Sequence, residues 1–174
     1  MINLTRAALE KLRDHLRERG QRPSIVLSGS RTSADLVEAM QIVEEWGAVC
    51  EAMYLVMAAD RRVVNAEREV LRGALAVLSN DRVRTIHMEA MLDAAARKVA
   101  AEGADKRLEK VMGVLQEDPP RAELTAVLAA AVAAADNLIV PEEQMLLDRL
   151  FKGLGIDAKR AEELMHGLTT DLGR

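Results

Sequence analysis

The stretches AADRRVVNAEREVL, residues 58–71, and AAADNLIVPEEQMLL, residues 133–147, are two versions of one segment. An offset of 76 residues sets Asp136 on Asp60 and Glu143 on Glu67. The same offset sets Val132, Ala134, Ala135, Val140 and Leu147 on Val56, Ala58, Ala59, Val64 and Leu71. A repeat fixes architecture before any single residue is read. In each copy an Asp closes an apolar helical run, and a Glu stands in the first turn of the next. Each half therefore reads as helix, acidic loop, helix, helix. Neither half can bury its apolar faces alone. The prediction is an all-α fold: a bundle of two pseudo-twofold-related helical repeats, about 36–101 and 105–168, with an extra N-terminal helix.

Working outward, the segment 5–19 carries a narrow stripe of Leu9, Leu12 and Leu16, with Gly20 placed to cap it. Pro, Gly, Ser and Thr then dominate residues 21–33, which read as a linker. Residues 1–33 are thus expected to be an appended helix and flexible linker, and residues 34–174 the helical domain. Within it a long helix over 34–59 should turn Leu36, Met40, Val43, Cys50 and Met57 to the core. Further helices follow over 66–78, then from a cap at Asp81 to about 101, and over 105–116, where Pro119 is a stop. Pro120 and Pro141 fit the first turns of two more, and Asp157 caps a last helix through 168.

Composition agrees. The chain has 174 residues, enough to bury a core without disulfides or metals. It is 49% hydrophobic but only 2% aromatic, so Leu, Val, Met and Ala must fill that core, a palette that favours helices. The nearest strand candidate is the short stretch 24–27.

Several function classes lack their signatures. A net charge of −4 with interspersed signs offers no basic stripe or stacking aromatics for nucleic acid. The longest apolar run, 126–135, is about half of the roughly 20 residues a membrane span needs. No secretory signal opens the chain, and the single cysteine, Cys50, fits a reducing compartment, so a cytoplasmic protein is expected. Cys50 lies on an apolar face, where a thiol behaves as a small hydrophobe. His15, His87 and His166 have no partner at metal spacing, and Glu163 with His166 makes only one Glu-x-x-His where a di-iron bundle needs two. Phosphate loops, nucleophile elbows and paired zinc cysteines are absent. No catalytic residue is predicted, and no enzyme.

The acidic loops remain. An approximate twofold would gather Asp60, Glu67, Asp136 and Glu143 near one point, and such hard oxygen ligands suit calcium, magnesium or manganese. Asn137 and Glu142 are weaker additions to that set. The same four residues equally fit a capping role, because an Asp before a helix accepts free backbone N–H groups and a Glu in the first turn suits the helix dipole. Arg61 and Arg62 could pair with Asp60 or Glu67 in place of a cation.

Ala59, Asp60, Val63 and Glu67, then Ala135, Asp136, Ile139 and Glu143, resemble the pattern of the tellurite-resistance TerB-like family: Ala-Asp-Gly, a hydrophobic two positions on, and a Glu heading the next helix. The resemblance spans about residues 36–165, with Arg61 and Asn137 in place of the family's glycine. It implies a two-halved helical bundle with a divalent-metal site at the acidic loops. It also implies a bacterial stress-response role that includes tellurium oxyanions, and adaptor contacts with membrane-associated stress proteins. The expected function is a non-enzymatic module that binds a divalent cation through Asp60, Glu67, Asp136 and Glu143 and so tunes contact with a protein partner. The alternative is a purely structural interaction module whose acidic residues are helix caps.

Overall fold

Every side chain from Thr125 to Ala135 is buried. A helix that is apolar on all sides can be satisfied only by neighbours on all sides. This segment belongs to the central helix of the protein, seen in a computed structural model that describes residues 4–22, 33–136 and 138–172. Among the described residues there are eight helices and no strand. They are α1 (Arg6–Gly20), α2 (Ser33–Met57), α3 (Asn65–Ser79), α4 (Thr85–Glu102), α5 (Ala104–Leu115), α6 (Pro119–Ala133), α7 (Pro141–Gly153) and α8 (Ala158–Leu172). The strand candidate 24–27 and most of the predicted linker lie outside the described residues.

The α6 helix packs against α1, α2, α3, α5, α7 and α8. Its run of alanines lets those neighbours come close. The second half of α2 is its companion, with Val49, Cys50, Ala52, Met53, Leu55, Val56 and Met57 all buried.

Local signals set the helix ends, with three departures from expectation. Asp157 caps α8 as predicted, accepting the Arg160 N–H at 2.8 Å. Pro119, expected only to stop α5, opens α6, and Asp118 accepts the Arg121 N–H at 3.3 Å. Asp81 does not cap α4. It follows Asn80 in the left-handed region, at φ 62° and 53° respectively, and pairs with Arg19 at 2.9 Å. The cap of α4 is made from within: His87 Nδ1 accepts the Arg84 N–H at 3.1 Å. Burial, then the charge of Arg84, hold the His87 imidazole below its ordinary range, which preserves the neutral ring that this bond requires.

The third departure is α1. It is no appendage, because Leu9, Leu12 and Leu16 are buried in the common core. Its last residue, Gly20, ends no helix by capping; it lies against Gly73 of α3. A Cβ on Gly73 would overlap the Leu16 carbonyl oxygen and stand 2.7 Å from its carbon, so the two backbones touch. Arg72 Nη1 donates to the Gly20 carbonyl at 2.5 Å and Arg17 pairs with Glu69 at 2.9 Å, fixing the crossing. The Thr5 N–H donates to Glu162 of α8.

The start of α2 runs the other way. Leu36 and Met40, expected in the core, are 54% and 72% exposed, and the first fully buried side chain of this helix is Ile42.

Candidate functional site: the paired acidic loops

Two short loops, one between α2 and α3 and one between α6 and α7, carry the repeated carboxylates. In the first, Asp60 Oδ1 accepts the Arg62 backbone N–H at 2.8 Å; in the second, Asp136 Oδ1 accepts the Leu138 N–H at 3.2 Å. Each Asp thereby turns its chain with a side-chain bond two residues ahead. Glu67 Oε2 then accepts the Val64 N–H at 2.8 Å, and Glu143 Oε2 accepts the Val140 N–H at 3.0 Å. These glutamates, each at the third helical position, reach back to an otherwise unpaired amide before the first turn. Arg61 adopts φ 63°, a conformation that glycine takes without cost.

Glu67 and Glu143 are almost fully buried, and each acts on the other's titration. Two buried carboxyl groups that repel each other are relieved when they share one proton. Burial raises both above the ordinary carboxylate range, Glu143 to about 8, and the neighbouring charges of Glu67 and Asp60 push Glu143 the same way. Glu67 also feels Asp60 and Asp136. The two loops thus bring Glu67 within electrostatic range of the other three predicted carboxylates. Asp60 is half-buried, while Asp136 and Glu142 are exposed. Asn137 lies outside the described residues. Among those described, no group of three or more His, Cys, Asp or Glu side chains is arranged to hold a metal ion.

This pair carries a signed pH dependence. A glutamate whose folded pKa is raised binds its proton more tightly in the native state, so its contribution is complete below the unfolded value of about 4.3 and is lost as pH rises through about 8. Glu143→Gln should remove that loss. The amide oxygen can still accept from Val140 and the amide N–H can donate to Glu67 without titrating. We expect urea melts at pH 6 and pH 9 to show wild-type stability falling between the two by more than the variant's, in which only Glu67 of the pair still titrates. At pH 9 the variant should be the more stable by roughly 1–2 kcal/mol. Parallel pH profiles for the two proteins would refute the shared proton.

Sequence reasoning missed three contacts, the first of them beside the second loop. Arg13 of α1 is buried and donates to the Ala134 carbonyl at 3.3 Å, which ties α1 to the end of α6 just ahead of Asp136. The guanidinium of Arg121 lies 4.3 Å from the centre of the Trp46 ring. Arg107 of α5 binds Glu51 of α2 in a buried fork, with Nε to Oε1 at 2.6 Å and Nη2 to Oε2 at 2.9 Å. The one available signal was a charged Glu51 inside the apolar run of α2.

No protein-family model, curated protein or solved structure matches this chain. No helix among the described residues is long and apolar enough to cross a membrane.

Proposed function

We propose that this chain is a non-enzymatic helical interaction module whose two halves, related by an approximate twofold, are clasped by the proton shared between Glu67 and Glu143. The observation that carries this reading is the matched engagement of the two loops: each Asp and each Glu is committed to a backbone N–H of its own loop, and the two buried Glu act on each other's titration. The packing supports the symmetry, since α2 lies on its counterpart α6, and α3 meets α6 as α7 meets α2. The loops then act as hinge pins that hold a rigid scaffold, and function resides on the scaffold's faces.

One observation favours the cation reading as a second. Two desolvated glutamates that also feel the charges of Asp60 and Asp136 are a situation a divalent ion relieves. The tellurium link rests on the two loop motifs alone.

Calorimetric titration of calcium, magnesium and manganese into the full chain separates the readings. We expect no saturable heat and an unchanged melting temperature. Saturable binding that disappears in an Asp136→Asn, Glu143→Gln double variant would overturn the clasp and make the cluster a cation site.

A further inference from the structure

The first nine residues of α2, 33–41, contain no buried side chain, so this end of the helix projects from the bundle. It is not a polar projection. Leu36 and Val37 are each 54% exposed and Met40 is 72% exposed. At about 100° per residue these three fall within one arc of about 100° on the helix surface, a continuous apolar strip. Within α2 itself the charges have one sign. The whole of α2 contains no Lys or Arg, and its acidic residues are Asp35, Glu38, Glu44, Glu45 and Glu51. Glu45 is bound to Arg82 and Arg121, and Glu51 to Arg107. Glu38 and Glu44 stand exposed on the same end as the strip.

We propose that this strip docks the apolar face of a basic amphipathic helix supplied by a partner protein. Apolar anchors one turn apart match the side-chain spacing of such a helix, and an acidic border selects lysine or arginine on its flanks. A second copy of this chain fits worse, because a twofold contact through the strip would set each acidic border against itself. An anionic membrane surface would be repelled for the same reason. The proposal rests on the interaction-module reading and adds the chemistry of the partner.

The test uses the full chain and two labelled synthetic helical peptides with the same leucine face, one flanked by lysines and the other by glutamates. Fluorescence anisotropy should show saturable binding of the lysine peptide that weakens as salt is raised. The glutamate peptide should not bind. Leu36→Ser with Met40→Ser should reduce affinity at least tenfold, and Glu38→Lys with Glu44→Lys should do the same while leaving the apolar strip intact. Unchanged circular dichroism certifies that both variants fold. Failure of the lysine peptide to bind, equal binding of the glutamate peptide, or equal binding by both variants would each overturn the proposal. So would sedimentation showing a dimer of the chain alone that the Leu36, Met40 variant dissolves. None of these results touches the clasp, which stands or falls by the cation titration and the pH profile.

Discussion

Gly73→Ala is expected to lower the stability of this protein by about 3 kcal/mol, a large effect for one added methyl group. At this chain length that is a fall of roughly 6–12 °C in melting temperature. The new Cβ would overlap the carbonyl oxygen of Leu16, and its neighbours there are backbone atoms. A flexible side chain could swing away; a helix backbone cannot move without carrying Leu9, Leu12 and Leu16 out of the core. Gly20→Ala should behave alike, since its Cβ would overlap the Glu69 carbonyl oxygen and stand 2.7 Å from the Gly73 nitrogen. Combining the two should cost less than the sum, because either one alone already pries α1 from α3. Gly47→Ala in α2 and Gly113→Ala in α5 are the controls. A Cβ at either position meets nothing within 4 Å, and each should stabilise by about 0.5–1 kcal/mol through reduced chain entropy. Thermal melts of the four single variants and the double decide the matter, and a Gly73→Ala protein that melts with the wild type would mean that α1 is loosely held.

The second large effect is expected at Glu51. Its side chain is almost wholly buried, and Arg107, also largely buried, holds both its oxygens, with Lys98 farther off at 3.8 Å. Glu51→Ala leaves the guanidinium with Glu102 at 3.3 Å and no partner on the α2 side. Stranding one member of a buried ion pair costs about 3–5 kcal/mol, whereas replacing both by apolar side chains of similar size is often neutral. We therefore expect Glu51→Ala and Arg107→Ala each to be strongly destabilising in urea melts. The combined Glu51→Met, Arg107→Met chain should recover most of the loss. The pair matters because α5 has few buried side chains of its own, Leu108, Val111 and Leu115. Single-site losses that simply add in a double-mutant cycle would show that the two residues act independently.

Much of the candidate site was legible because capping is a local event. Asp60, Glu67, Asp136 and Glu143 are each bonded to an amide two or three residues away, so chain spacing alone could place them. Cys50 was equally readable. Its apolar helical face predicted burial, and burial, with the charges of Glu51 and Glu89 behind it, pushes its thiol up to about 12. The projecting end of α2 could not be read in this way. Leu36 and Met40 keep the same periodicity as the buried half of the helix, and periodicity reports a face without reporting whether anything covers it. Asp81 looked like a cap by residue type, but two successive left-handed residues carry the chain past it.

The sequence by itself determined the all-helical class, the approximate helix boundaries and the duplicated acidic loops. These follow from composition, apolar period and turn chemistry acting over a few residues. Only the tertiary structure decided that α1 belongs to the bundle, that Glu67 and Glu143 meet across the two loops, and that Glu51 is neutralised by Arg107. Each of these joins residues dozens of positions apart, and whether such residues touch depends on how closely two helices can approach. That distance is set by glycine and alanine at the crossings, whose effect on packing appears only when a second backbone arrives.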